Sequence, residues 1–490
     1  MGDKVTLTIK DQVNVKFDGL PPEIRRKISE ECKYVVPYAR HTPQYKLGRW
    51  DGKVAFSTIG GSTFINMLDK VLPIVIDAGF EVDIIDQRPQ YHFEWPEVTE
   101  ELLAHKTWPE GHPAAGEPIM LRDYQVAAIK NYLDNPQSIQ AISTGAGKTI
   151  TTAALSTLIE PYGRSIVIVP SKSLVLQTEE DYRNLGLDVG VFYGDRKEWG
   201  HTHTICTWQS LGAFSKRSKS NLDDLDEDQF ARFIDDVVCV MIDEVHSAKA
   251  DVLKNLLTGP MSRVPIRWGL TGTIPKEEFE FKALECSIGC VVGETTAKSL
   301  QDRGILSNCH INILQLNDDH VGFNTYDSEY KYLTTDKERL TYMVELCLTI
   351  AESGNTLILV DRIETGRFLV EHLGDKAVFI SGDTKMKNRS KEFKEVQNTD
   401  GKIIVATYGV AAVGINVNRL FNLVLIEPGK SFVRVIQSIG RGLRTAKDKD
   451  FVNVYDITSS LKFSKKHLTQ RKKYYKDAQY PHTVTKVAYR

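Results

Sequence analysis

Three clusters of residues in this 490-residue chain have the types and spacing of phosphate chemistry. The first is Ser143-Thr144-Gly145-Ala146-Gly147-Lys148-Thr149. It follows an apolar run, Ile139 to Ile142, and precedes an Ala/Thr/Leu-rich stretch that can wind as a helix. Strand, Gly-rich turn and helix form the context of a phosphate-binding loop. Gly145 and Gly147 let backbone N–H groups turn toward a polyphosphate with no Cβ in the way. The helix that follows would begin with its positive dipole end at the phosphates. Lys148 would reach the β and γ oxygens, and the Thr149 hydroxyl would hold Mg²⁺. One position departs from the strict GxxxxGK[ST] pattern: Ile142 stands where the first glycine belongs.

The second cluster is Asp243-Glu244, at the end of the apolar run Val240-Met241-Ile242 and followed by Val245-His246. Doubly wound sheets place their chemistry at such strand ends. Asp243 would hold Mg²⁺, directly or through water, and Glu244 would polarise the water that attacks the γ-phosphate. The third cluster is Gln437, Arg441 and Arg444. The two arginines are three apart and so share a helical face. They stay charged at any working pH. Arginines delivered from a neighbouring domain can stabilise a transferring phosphoryl group, with effects of ~10³–10⁵ in rate.

The elements that must position these clusters are short β-branched runs alternating with helical segments, from Leu121 to about residue 460. The runs are continuous rather than alternating, as in strands buried on both faces of a parallel sheet. The series restarts near residue 355. The fold class this predicts is α/β: two tandem parallel-sheet domains, at 119–295 and 296–460, preceded by a small α/β domain at 1–86. Residues 87–118 hold five prolines and read as a linker. Within 1–86, Val5 to Ile9 and Val13 to Phe17 read as a strand pair, 22–34 and 64–78 as helices, and 81–85 as a strand. Asp51-Gly52 is a hairpin-turn signal flanked by Lys46, Arg49, Trp50 and Lys53. An aromatic interleaved with cations suits a sugar-phosphate backbone and a stacked base, so Arg49 and Trp50 are candidate nucleic-acid contacts. The plain alternative is a Trp50 that packs under its own hairpin.

Composition narrows the function classes. The net charge is −2, which does not advertise nucleic-acid binding, but its distribution is uneven. Residues 461–490 carry nine Lys/Arg against one Asp, while residues 221–228 are acidic. The 461–490 segment reads as a basic C-terminal tail, either a solvated helix face or an arm on phosphates. No run of about 18 apolar residues is present, so no membrane span is expected, and the N-terminus has no signal-like apolar region. Seven cysteines are scattered along the chain, and most sit in apolar runs (Cys239, Cys347), which reads as reduced, buried thiols of a cytoplasmic protein. Cys286 and Cys290 lack a second ligand pair for zinc.

Taken in order, these segments resemble the superfamily 2 helicases of the DExH type. Leu121-Arg122-Asp123-Tyr124-Gln125 resembles the glutamine motif, the 143–149 loop motif I, Ile166 to Ser171 motif Ia, Thr207 to Ser210 motif Ib, and Asp243 to His246 motif II. Leu270 to Thr273 resembles motif III, Leu357 to Val360 motif IV, Ala406 to Asn416 motif V, and Gln437 to Arg444 motif VI. The resemblance implies that the two tandem parallel-sheet domains are RecA-like, with ATP and Mg²⁺ as cofactors. It implies nucleotide contacts from Arg122, Gln125, Thr144, Gly145, Ala146, Gly147, Lys148, Thr149 and Gly414, with Gln125 reading the adenine. It implies strand-backbone contacts from Ser171, Thr207, Gly382 and Thr407. His246, Thr271 and Thr273 would couple the two ligand sites, although His246 has the alternative of a cleft histidine. Motif V departs from the common Gly-Ile-Asp ending at Asn416, which leaves a ribose role for that residue open. Gly48 to Gly52 ahead of the glutamine motif, together with Thr207-Trp208-Gln209, is most similar to UvsW-type phage recombination helicases. That likeness implies ATP-driven remodelling of branched DNA (fork regression, branch migration, R-loop unwinding) in the host cytoplasm. A duplex translocase that never separates strands, an RNA helicase, a restriction-type motor subunit and a non-catalytic scaffold are the other readings.

Overall fold

The computed structural model describes residues 3–490 except 111, 113, 221–223, 246–249, 385, 415–416 and 447. His246 and Asn416 therefore lie outside the described residues. The chain divides into two units. One comprises residues 1–142 and 147–294; the other comprises 295–490 together with the loop residues Ser143–Ala146.

The first unit begins with a four-stranded sheet in the order Ser62–Phe64, Asn14–Asp18, Lys4–Ile9, Glu81–Asp86. Its first two pairings are antiparallel and its last is parallel. Val5, Leu7, Val15 and Phe17 alternate into the core, and Val71 and Val75 meet them from the helix Leu68–Asp77. The helix read over 22–34 stops at Glu31, and Lys33–Val35 is a strand. The region read as one helix over 64–78 opens instead with the strand Ser62–Phe64 and a 3₁₀ turn before Leu68. Both differences come from β-favouring residues at the ends of helical runs, which tertiary pairing claims for a sheet.

Asp51-Gly52 does not close a two-residue hairpin. The strand after it, Lys53–Ala55, pairs antiparallel with Lys33–Val35, across the intervening short helices. Gly52 has φ +80°, and a Cβ there would meet the Tyr45 ring at 2.9 Å. Trp50 is half-buried against the N-terminal core, and its indole N–H donates to the Lys53 carbonyl at 2.7 Å. Its surroundings are those of the packing alternative. Trp50→Ala is therefore expected to destabilise this domain by about 2–4 kcal/mol, read as a lower first melting transition. An unchanged melt with weakened DNA binding would return the side chain to the nucleic-acid role.

The small sheet is not an independent bead. On the helix Glu278–Ser287, Phe279, Ala283 and Cys286 lie at helical spacing on one face and join the N-terminal core. Leu284, on another face, joins the core of the first parallel sheet. The Phe56 and Phe279 rings stand 5.9 Å apart. Asn14 Nδ2 donates to the Thr258 carbonyl at 2.8 Å and Asn66 Nδ2 to that of Glu285 at 2.6 Å. The Pro-rich stretch 87–118 has one 3₁₀ turn, Glu100–Leu103, and is tied down by buried Val98 and Leu103 and by Lys106 Nζ, which donates to the Leu185 carbonyl at 2.6 Å.

The first parallel sheet has eight strands in the order Arg196–Lys197, Val189–Tyr193, His203–Thr207, Arg164–Val169, Val237–Asp243, Ile266–Thr271, Gln137–Ile142, Cys290–Thr295. All pairings from Val189–Tyr193 to Gln137–Ile142 are parallel. The second sheet has seven strands, all parallel, in the order Ala377–Ile380, Ile403–Thr407, Thr356–Val360, Asn422–Ile426, Phe451–Ser459, Asn308–Leu316, His482–Val487. Runs such as Leu357–Val360 and Leu423–Ile426 are buried residue after residue because helices cover both faces.

The segment read as a basic tail is part of that second sheet. Lys462–Asp477 is a helix, and His482–Val487 is the edge strand beside Asn308–Leu316. Arg471 is 1% exposed and grips Asp456 with Nε and Nη2 at 2.8 and 2.9 Å. Tyr475 Oη donates to the same carboxylate at 2.8 Å, and Arg471 Nη1 to the Gly429 carbonyl at 2.6 Å. A two-pronged arginine with its remaining donors satisfied can sit in a core where a lone charge cannot. No helix among the described residues is long and apolar enough to cross a membrane, and no metal-ligand cluster or disulfide occurs among them.

Candidate active site

The strand Gln137–Ile142 is buried up to its last residue, and Ile142 itself is 2% exposed. This explains the departure from the glycine pattern: position 142 is still sheet core, and the turn begins one residue later. Gly145 and Gly147 have φ of +88° and +80°, a conformation that favours glycine. Gly147 caps the helix Lys148–Ile159, whose Thr151 to Leu155 are buried in the unit. A Cβ on Gly147 would strike Gln125 Nε2 at 2.5 Å, so the glutamine motif lies directly against the loop. Gln125 is 6% exposed, and its Oε1 accepts the Arg122 backbone N–H at 2.9 Å.

Lys148 and Glu244 meet in the same unit. Lys148 Nζ is 2.8 Å from Glu244 Oε1, with both side chains about nine-tenths buried at 11% exposure. Lys148 Nζ also reaches the Ile142 carbonyl at 3.5 Å. Glu244 holds φ +53°, a left-handed conformation for a residue with a side chain. Such geometry costs roughly 1–3 kcal/mol and persists where surroundings enforce it, often at functional sites. Here the strand Val237–Asp243 ends, the Glu244 N–H donates to Asp243 Oδ1 at 3.0 Å, and the turn swings the glutamate toward the lysine. The Gly272 N–H points at Glu244 Oε2 at 3.4 Å. Around it Thr271 Oγ1 donates to the Thr273 carbonyl at 2.8 Å and accepts the Thr273 N–H at 3.1 Å. Thus Thr271 and Thr273 shape a turn whose middle amide touches the glutamate. Gly272 was not among the candidates from sequence; its only signal was its place between two threonines.

Ser171 and Thr207 stand at the carboxyl ends of adjacent strands, Arg164–Val169 and His203–Thr207. Ser171 Oγ caps the helix Lys172–Asn184 by accepting the Leu174 N–H at 3.3 Å. Thr207 Oγ1 donates to Ser210 Oγ at 2.9 Å and is 7% exposed. Both hydroxyls are engaged in shaping their own turns. Arg49 is exposed on the N-terminal domain, apart from the Lys148–Glu244 pair in sequence and sheet.

In the second unit, Thr407 ends the strand Ile403–Thr407, Gly382 is exposed after Ala377–Ile380, and Gly414 ends the helix Tyr408–Gly414. Gln437 (6% exposed) and Arg441 lie on the helix Phe432–Gly442, and Arg444 follows it. The backbone of Arg444 is held from three sides. It bridges Leu306, its carbonyl accepts Ser307 Oγ at 3.3 Å, and it accepts Lys449 Nζ at 2.7 Å. The loop residues grouped in this unit lie there too: a Cβ on Gly145 would come within 2.9 Å of Leu306 Cδ2 and 3.8 Å of Arg444 Cγ, and one on Gly440 within 3.0 Å of Thr144 Cβ.

Lys449 is a residue that sequence reasoning missed. It is 4% exposed, and its Nζ donates to the carbonyls of Gly442, Arg444 and Asn418 at 2.6, 2.7 and 3.0 Å. Burial, reinforced by the Arg444 charge, pushes its pKa down to about 7. It clamps the end of the arginine helix to the chain after motif V. Lys449→Met should lower stability by roughly 3 kcal/mol, because three buried carbonyls lose their donor. It should also slow turnover with little change in nucleotide KM. A melt and a turnover both equal to wild type would refute the clamp.

The donor set fits a nucleotide with a hard cation. A hydroxyl at Thr149 and a carboxylate at Asp243 are oxygen ligands of the kind Mg²⁺ takes, and a left-handed glycine turn on a helix N-terminus is a cradle for phosphate.

Two family models match the chain: "Type III restriction enzyme, res subunit" over residues 118–276 and "Helicase conserved C-terminal domain" over 338–446. The chain is 25% identical over 463 residues to the ATP-dependent DNA helicase uvsW of Enterobacteria phage T4, covering 89% of this chain and 87% of that one. Among solved structures it resembles a fragment of a putative HsdR subunit of a type I restriction enzyme from Vibrio vulnificus (TM-score 0.56, 14% identity, 97% and 85% of the two chains). It also resembles the DUF1998 helicase MrfA bound to DNA (TM-score 0.57, 12% identity, 81% and 53%). These two likenesses speak to the fold, that of tandem RecA-like domains. With the motifs in order, the lysine–glutamate pair in place and both domain families matched, the chain belongs to the superfamily 2 helicases, enzymes that hydrolyse ATP.

Proposed function

We propose that this chain is an ATP-dependent DNA helicase or translocase that remodels branched DNA. The observation that carries the hydrolytic part is the Lys148–Glu244 pair at 2.8 Å, with the Gly272 amide on the same glutamate. When ATP is bound, Lys148 leaves Glu244 for the β and γ oxygens. The freed carboxylate then orients and polarises the attacking water. Thr149 and Asp243 would hold Mg²⁺, which neutralises charge on the phosphates. Arg441 and Arg444 supply positive charge as the phosphoryl group transfers. Any change at Glu244 is felt by the Thr271–Thr273 turn through Gly272, a short physical route from hydrolysis to the strand ends. Gln125, against Gly147, reads the adenine. Similarity along nearly the whole chain to a phage DNA helicase supports DNA as the partner.

The test is ATPase stimulation compared across forked DNA, linear duplex, single-stranded DNA and RNA. Forked DNA should stimulate most. Equal or greater stimulation by RNA would overturn the DNA reading. A second reading, translocation along duplex without strand separation, is favoured by the match of residues 118–276 to a restriction-enzyme motor family. Strong stimulation by linear duplex with no displacement of a labelled strand would select it.

A further inference from the structure

All seven strands of the second sheet are parallel, so their carboxyl ends share one edge. At that edge Thr356–Val360 runs into Asp361-Arg362, Phe451–Ser459 runs on to the helix Lys462–Asp477, and Asn308–Leu316 leads to the helix Tyr326–Thr335. The two helices and the Arg362 turn build an aromatic shelf. Tyr326 stacks on Tyr330 with centroids 5.5 Å apart and planes 26° apart. Phe463 and His467 lie 6.2 and 5.1 Å from Tyr326 at steep angles. Tyr326 is nevertheless 38% exposed. Cations ring the shelf. The Arg362 guanidinium lies 5.3 Å from the Tyr330 centroid, and the ammonium groups of Lys462 and Lys466 lie 5.5 and 6.0 Å from that of Phe463. The acid in the middle, Asp361, is already paired with Arg434 at 3.1 Å and accepts Tyr330 Oη at 3.0 Å. Burial, with the charges of Arg471 and Lys430 added, holds the His467 pKa below its ordinary value.

The shelf is rigid. Buried Glu329, on the tyrosine helix, accepts the N–H groups of Phe463 and Ser464 at 3.0 and 2.8 Å and Ser464 Oγ at 3.0 Å. This carboxylate binds the two helices into one body, so the rings are pre-set rather than collapsing on contact. An exposed flat ring, Tyr326, backed by half-buried aromatics and with cations spaced around it, matches single-stranded nucleic acid, whose bases offer open faces and whose phosphates need counter-charge. A duplex hides those faces. None of these aromatic residues belongs to the helicase motifs, and the shelf continues the edge that carries Gly382 and Thr407.

We infer that this shelf binds an unpaired segment of DNA, with a base stacked on Tyr326 and the flanking phosphates on Arg362, Lys462 and Lys466. The inference rests on the DNA-directed reading above, but its test needs no hydrolysis. Binding of a fluorescein-labelled oligo-dT is measured by anisotropy on the full chain without nucleotide. Tyr326→Ala should weaken it about tenfold, as loss of one base–aromatic stack does, and Tyr326→Phe should bind as wild type. Lys462→Glu with Lys466→Glu should flatten the salt dependence. A 2-aminopurine oligonucleotide should be quenched by wild type and not by Tyr326→Ala, and basal ATPase should be unchanged in all three variants. Equal affinity of Tyr326→Ala and wild type for oligo-dT would overturn the inference. So would an equal loss on blunt duplex, or complete displacement of oligo-dT by polyglutamate at matched charge. Absence of ATPase in the wild type would count against the helicase mechanism and leave the shelf result standing.

Discussion

Glu244→Gln is expected to keep nucleotide binding and to lower turnover by about 10²–10⁴-fold, the range removed with a positioned general base. The geometry makes this variant unusually clean. Glutamine retains an oxygen for the Gly272 N–H, so the Thr271–Thr273 turn keeps its anchor. What disappears is the negative charge 2.8 Å from Lys148 Nζ. In the absence of ligand that charge competes with ATP for the ammonium, so its removal should leave KM unchanged or lower it. A fall in kcat with a constant or reduced KM is the signature of a group that acts in the transition state. A fall in affinity would instead make Glu244 part of the ground-state cradle. Steady-state ATPase with a parallel nucleotide-binding titration distinguishes the two.

Arg444→Ala is expected to lower turnover by about 10³-fold or more while nucleotide still binds, as loss of an arginine that serves the transferring phosphoryl group does. Its main chain is fixed by Leu306, Ser307 and Lys449, so truncating the side chain removes the charge without freeing the loop. Arg444→Lys should rescue little, because an ammonium cannot reproduce the planar fork of the guanidinium. Single-turnover hydrolysis compared with nucleotide affinity checks it. A variant with full turnover would remove Arg444 from the mechanism, and one that no longer binds ATP would move it to the ground state.

The phosphate loop, the Asp243-Glu244 pair and the arginine helix were legible because each follows a short, mostly apolar run, and such runs are buried strands of a parallel sheet. The meaning of Ile142 was only half legible: its apolar side chain belonged to the strand and not to the loop. Other features were hidden by their own chemistry. Residues 461–490 look like a solvated arm, since nothing in the sequence shows that Arg471 is buried against Asp456, 15 positions earlier. Lys449 looks like one more surface lysine in the run Lys447-Asp448-Lys449-Asp450, and only the folded chain brings three carbonyls to it. Trp50 sits among cations in sequence, yet its indole turns inward to the Lys53 carbonyl. The docking of the small domain depends on Phe279, whose helical spacing fits either of the two cores it lies between.

The most direct test of the central claim, that hydrolysis at Lys148 and Glu244 drives DNA remodelling, is a fork assay with labelled arms, run with ATP for wild type and Glu244→Gln. Wild type should convert the fork into regressed or unwound products, and Glu244→Gln should bind the fork and leave it intact. Conversion at equal rates by both proteins, or no conversion by a wild type that hydrolyses ATP on the same fork, would contradict it.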